Sequence, residues 1–84
     1  MNRHSQTSDL YLAAFLLAGD HTLAGVDGHD PRRVVFLLAP YPAPDLLASY
    51  AEGRATVNVL RYVSAERQLK RRVWAVRDGR EARR

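Results

Sequence analysis

The sequence contains no cysteine, and this absence excludes both a disulfide framework and a thiolate metal site. Small secreted domains often depend on disulfides, so we expect an intracellular, cytoplasmic protein. Residues 1–6 also lack the basic-then-apolar order of a signal peptide. Lysine is almost absent, since Lys70 stands beside twelve arginines. The positive charge of the chain is therefore almost wholly guanidinium.

Motifs of known catalytic sites are missing as well. The five glycines stand apart rather than in a phosphate-binding loop, and none of the four serines belongs to a nucleophile elbow. No histidine has an evident orienting partner, and no pair of carboxylates lies within the apolar segments. We therefore predict that the protein is not an enzyme and has no catalytic residues and no cofactor.

The longest apolar run, Leu10 to Ala18, holds only nine residues. A helix of that length is about 14 Å long, roughly half of the hydrocarbon thickness of a bilayer, so we expect no membrane partner. Thr7 or Ser8 is suited to cap a helix from about residue 8 to residue 18, and Gly19 to end it in the left-handed conformation. A helix that has no polar face must be buried on more than one side.

Length and composition favour a single folded unit. A chain of 84 residues buries only about 60 to 65% of the surface that its unfolded form exposes. A hydrophobic content of 46% with 26% charged residues is ordinary for a globular protein. We predict one domain over residues 7–77, a flexible N-terminus over residues 1–6 and a charged flexible tail over residues 78–84.

The middle of the chain predicts a β-hairpin. Residues 21–27 read as a strand that Gly25 weakens, and residues 28–32, with Pro31, are rich in turn-forming types. Residues 34–38 form a continuous apolar run, which is typical of a strand covered on both faces.

Two further helices follow the hairpin. Pro44 suits the first position of a helix over residues 44–52, and Gly53 is a plausible stop. Asn58 is predicted to cap a third helix that continues to residue 76 or 77. The predicted fold is a single α+β domain of order α-β-β-α-α, in which an antiparallel β-hairpin packs against three helices.

The third helix is amphipathic. Its predicted apolar side consists of Val59, Tyr62, Val63, Leu69, Val73 and Val76. Tyr62 and Trp74 lie close to that side, so we predict core packing for both rather than stacking on nucleotide bases. Glu66 and Lys70 are four residues apart in the order that supports a helix.

One turn concentrates side chains that can bind metals. Asp27, His29 and Asp30 lie within it, and His21 is nearby. A zinc site requires three or four well-placed ligands, whereas aspartate and histidine are common turn formers. We predict that these residues form the turn and bind no metal.

The basic side of the third helix is the best candidate for binding. The net charge is +4 and the pI is about 10.1, which favours anionic partners. Guanidinium groups suit phosphates because their planar donors bind two oxygens at once. The candidate nucleic-acid-binding residues are Arg32, Arg33, Arg61, Arg67, Lys70, Arg71 and Arg72. The alternative is a solvated helix face, with some of the stems covering apolar surface.

The run Thr7-Ser8-Asp9-Leu10-Tyr11-Leu12-Ala13-Ala14-Phe15-Leu16-Leu17 carries a resemblance. It is similar to the opening of a small bacterial and phage family of domains of unknown function. Further matches are Val35-Phe36, the step from Tyr50 to Gly53, and the Leu69-Lys70 helix. The proline-rich loop from Ala39 to Pro44 departs from the family pattern. The resemblance implies a compact accessory domain of phage or mobile-element origin, and it brings no known activity.

These features lead to two functional hypotheses. The first is a small non-enzymatic accessory protein that binds nucleic acid through its basic C-terminal helix, with little sequence selectivity. The alternative is a protein-interaction module that docks on a host or phage protein and modulates it. A two-stranded hairpin has two unpaired edges, so we also expect a homodimer that joins hairpins or buries the first helix.

Overall fold

A computed structural model describes residues 5–30 and 32–78 of the chain. The fold is α+β, with a three-stranded antiparallel sheet and three helices. The predicted roles of Pro31, of residues 1–4 and of residues 79–84 lie outside the described residues. The elements, in chain order, are β1 (Ser5–Thr7), α1 (Leu10–Ala18), β2 (Thr22–Asp27), β3 (Val35–Ala39), α2 (Pro44–Ala51) and α3 (Val59–Arg77).

The sheet has one strand more than the predicted hairpin. Its order is β1-β3-β2, and β1 pairs antiparallel with β3, so that Thr7 lies opposite Phe36. The predicted element order, which began with a helix, was therefore wrong. β1 consists of three polar or hydroxylated residues without apolar alternation. It forms a strand because β3 offers an unpaired row of backbone groups beside it.

Helix α1 begins two residues later than predicted, at Leu10, because Asp9 is its cap. The Oδ1 atom of Asp9 accepts hydrogen bonds from the backbone amides of Tyr11 and Leu12, at 3.0 and 3.2 Å. Thr7 accepts a hydrogen bond from the Asp9 amide instead of capping the helix. Gly19 ends α1 with φ −91°, so the predicted left-handed conformation was wrong there.

Helix α1 is covered on three sides, as its uniform apolar surface requires. It packs against β3 on one side and α3 on another, and residues 13–16 are buried. On a third side the Phe15 ring contacts the Tyr50 ring of α2, with centroids 5.1 Å apart and an interplanar angle of 39°. Tyr11 is the only residue of α1 among the large exposed hydrophobic side chains of the described chain. None of the helices in residues 5–30 and 32–78 is both long and apolar enough to cross a membrane.

Strand β3 is central in the sheet but is not covered on both faces, which corrects the prediction. Phe36 and Leu38 are buried, whereas Val35, Leu37 and Ala39, which alternate with them, are half-buried. The helices cover one face of the strand more completely than the other. Strand β2 is interrupted by a register shift between Leu23 and Gly25, where the sequence predicted weakness.

The local signals for α2 and α3 are confirmed. Pro44 occupies the first turn of α2, and Gly53, just beyond its end, has φ 76°. This left-handed conformation favours glycine, so Gly53 ends the helical path. The side chain of Asn58 accepts a hydrogen bond from the Arg61 amide at 3.0 Å and caps α3.

Candidate functional site

Helix α3 presents one face to the core and the opposite face outward. Ala65, Leu69 and Val76 are buried on the core side. A helix turns by about 100° per residue, so Trp74 is rotated by about 140° from Leu69, five positions earlier. Leu60, Arg67 and Trp74 are spaced seven residues apart and therefore form one outward line. We call this line, together with Arg71, the outward face of α3.

Trp74 is the main correction to the predicted core. Trp74 is 59% exposed, and Val59, assigned to the apolar side of α3, is 71% exposed. The buried side of α3 is thus narrower and rotated away from the predicted one. Tyr62 is half-buried and packs against the core, as predicted. Burial raises the pKa of Tyr62, and the Glu66 carboxylate adds to the shift.

Cations precede and follow Trp74 along α3. Arg67 and Arg71 are exposed and lie seven and three residues before Trp74, and Arg77 lies three residues after it. Lys70 is held by Glu66, with a distance of 3.4 Å between Nζ and Oε2, which confirms the predicted pair. An exposed aromatic ring beside several guanidinium groups is suited to a stacked base with its phosphates.

The other predicted cations are not part of this face. Arg72 is half-buried at the boundary with the core and has an interaction partner. Arg61 lies near the start of α3, where it lines an open groove with Leu17 of α1. The structure therefore does not unite all seven candidates in one patch.

Arg32 and Arg33 lie beside the last turn of α3. The turn between β2 and β3 approaches that helix so closely that a Cβ atom on Gly28 would lie 2.5 Å from Cγ1 of Val76. Arg32 and Arg33 consequently line a cavity together with Arg77. The two hairpin arginines therefore adjoin α3 at its C-terminal end.

The comparisons with known proteins give no identification. The chain matches no protein-family model, no curated protein and no solved structure. The resemblance to a phage and bacterial domain family therefore stays a prediction, and function has to be argued from the geometry alone.

The acidic turn is organised by its own backbone. Asp27 accepts a hydrogen bond from the His29 amide, and Asp30 accepts one from the Arg32 amide, both at 3.0 Å. These are the bonds by which aspartates form turns. Within residues 5–30 and 32–78, no three histidine or acidic side chains come close enough to hold a metal ion. His21 is buried, and its two ring nitrogens have no hydrogen-bond partner in that same part of the chain.

Two functional candidates were missed from the sequence. Arg77 was assigned only to the end of α3, because its place beside Arg33 depends on how the hairpin turn docks. Trp74 was predicted to pack in the core because the predicted apolar side of α3 was wider than the side that is buried. The spacing Leu60-Arg67-Trp74 was the available signal, since a seven-residue interval keeps side chains on one line.

Proposed function

We propose that the protein binds single-stranded nucleic acid through the outward face of α3. The observation that carries this proposal is the 59% exposure of Trp74 on the same side of α3 as the exposed Arg67 and Arg71. A tryptophan ring exposed to this extent leaves apolar surface in water, and stacking with a base would cover it. Base stacking on an aromatic side chain contributes about 1–3 kcal/mol per base.

The charge distribution supports a single strand with little sequence selectivity. The exposed guanidinium groups of Arg67 and Arg71 suit phosphate oxygens, which carry no sequence information. Every base has a π-face, so stacking on Trp74 tolerates any sequence. A duplex would keep its bases stacked inside and could not offer one to the ring.

Intrinsic fluorescence tests the proposal directly, because Trp74 is the single tryptophan of the chain. Titration with a short oligothymidine should quench its emission. The dissociation constant should rise with salt, with a logarithmic slope of about 0.7 for each phosphate contacted. For variants that lack the tryptophan, the dissociation constant is measured instead by fluorescence anisotropy of a labelled oligonucleotide.

Three variants separate stacking from charge. Trp74→Ala should weaken binding by about 1–3 kcal/mol. Trp74→Phe should weaken it less, because the phenylalanine ring can still stack on a base. Arg67→Glu combined with Arg71→Glu should weaken binding strongly and lower the salt slope of the binding that remains. Tyr41→Ala is the matched control, because Tyr41 is 66% exposed but lies between prolines outside α3. Unchanged binding by Trp74→Ala and by the double Glu variant would refute the proposal.

The alternative function has one observation in its favour. Val59 and Leu60, at the start of α3, are 71% and 80% exposed and adjoin the groove that Leu17 lines. We propose this end of α3 as the docking surface if the protein is an interaction module. A pull-down that recovers a single protein partner, in the presence of nuclease and high salt, would favour that function if Leu60→Arg no longer recovers it.

A homodimer remains a proposal for the edges of β1 and β2 that face away from β3, since α1 is already covered.

A further inference from the structure

A second site lies where the last turn of α3 meets the turn between β2 and β3. It is a cavity of about 280 Å³. Leu10, Phe36 and Val73 are apolar residues of its lining, and Ser8 is a polar one. Pockets for small molecules measure about 300–1,000 Å³, so this one suits a single charged group with part of the molecule that carries it.

Three arginines converge on the cavity. Arg32 is paired only loosely with Asp30, at 3.7 Å, and its side chain is 93% exposed. Arg33 and Arg77 form no ion pair within residues 5–30 and 32–78. Like charges that share one cavity repel each other, and a bound anion between them removes that repulsion. The cavity is therefore suited to an anion of more than one charge.

We propose that this cavity binds a phosphomonoester, and specifically the terminal phosphate of a nucleic acid strand. A phosphomonoester carries a charge of about −1.5 to −2 and three acceptor oxygens, whereas an internal phosphodiester carries only one negative charge. Planar guanidinium groups bind such oxygens in pairs. The choice of a strand end rests on the proposed function, whereas the choice of a phosphomonoester rests on the cavity alone.

The position of Trp74 connects the two sites. Arg77 follows it by three residues, so the two side chains are neighbours on α3, about 4.5 Å apart along the axis. A terminal base stacked on Trp74 would have its own phosphate within reach of Arg77. The strand would then continue along α3 past Arg71 and Arg67.

The test compares oligothymidines of one length that carry a 5′-phosphate, a 3′-phosphate or two hydroxyl ends, using the full chain and anisotropy. A phosphate at one end should tighten binding about tenfold, the effect of one added charge-assisted hydrogen bond. Arg33→Gln combined with Arg77→Gln should remove that advantage. Arg54→Gln is a control for the loss of one positive charge elsewhere, because Arg54 lies outside the cavity and pairs with Glu52.

The outcomes distinguish this site from the proposed function. If strands bind but terminal phosphate changes the dissociation constant less than about twofold, the cavity proposal is overturned and the function stands. If no strand binds while thymidine monophosphate binds and thymidine does not, the phosphomonoester site stands and the function fails. If neither a strand nor thymidine monophosphate binds, both proposals are refuted.

Discussion

Gly28 holds the hairpin turn against α3, and its replacement by alanine should destabilise the fold. The added methyl would lie 2.5 Å from Cγ1 and 3.0 Å from Cγ2 of Val76, whereas carbon atoms pack best at about 3.5–4.0 Å. Val76 is only 2% exposed, so it has little room to move. Either the turn or the end of α3 must therefore shift by about 1 Å.

Overpacking of this kind costs about 1–3 kcal/mol. For a domain of this size, a loss of about 2 kcal/mol lowers the thermal midpoint by roughly 8–16 °C. This midpoint is measured by thermal unfolding monitored with far-ultraviolet circular dichroism. Gly25→Ala is the matched control, since its methyl would lie 3.5 Å from Cδ1 of Leu37, an ordinary contact, and should change stability by less than about 0.5 kcal/mol.

A double-mutant cycle tests the stated cause. Val76→Ala alone removes two methyl groups from the core and costs about 1.6 kcal/mol or more. In the Gly28→Ala, Val76→Ala chain, the new methyl enters the space that the valine leaves. The double variant should therefore be more stable than the sum of the single losses predicts, by about 0.5–3 kcal/mol. Strict additivity, or a Gly28→Ala chain as stable as the wild type, would refute the steric explanation.

Two further predictions concern the cover of α1. Phe15→Ala should cost about 3–5 kcal/mol in urea unfolding, because the ring is 8% exposed and contacts Tyr50; a loss below about 2 kcal/mol would mean that α2 does not enclose it. Burial, with a smaller contribution from Asp9, raises the pKa of Tyr50 above 10.0. The folded state then keeps a proton that the unfolded state releases, so stability should fall as pH rises through about 10, and less steeply in Tyr50→Phe. An equal slope in Tyr50→Phe would contradict this.

The predictions that hold depend on short-range chemistry. Asn58 caps α3 and Pro44 opens α2 because each acts on amides or backbone angles within one turn of itself. The pair of Glu66 and Lys70 forms for the same reason. Such interactions can be predicted without knowing the rest of the fold. They locate the helices along the chain.

The errors that affect the sheet and the candidate site involve partners that are distant in the sequence. β1 has no strand pattern of its own and exists only because β3 lies beside it. The exposure of Trp74 depends on which side of α3 packs against α1, and an amphipathic pattern with a broad apolar arc does not define that side. Arg77 joins Arg32 and Arg33 only through the contact between Gly28 and α3. The candidate site was therefore harder to predict than the helices that hold it.

The two proposed sites on α3 differ in what they need from the fold. Arg67, Arg71 and Trp74 belong to a single helix, so their spacing persists as long as α3 is helical. The cavity instead requires that the turn carrying Arg33 stays docked on the last turn of α3, a contact that Gly28 permits by lacking a side chain. Gly28→Ala, studied well below its unfolding temperature, should therefore lose the preference for a terminal phosphate while Trp74 fluorescence is still quenched by unphosphorylated strands. Parallel loss of both activities would mean that they share one surface.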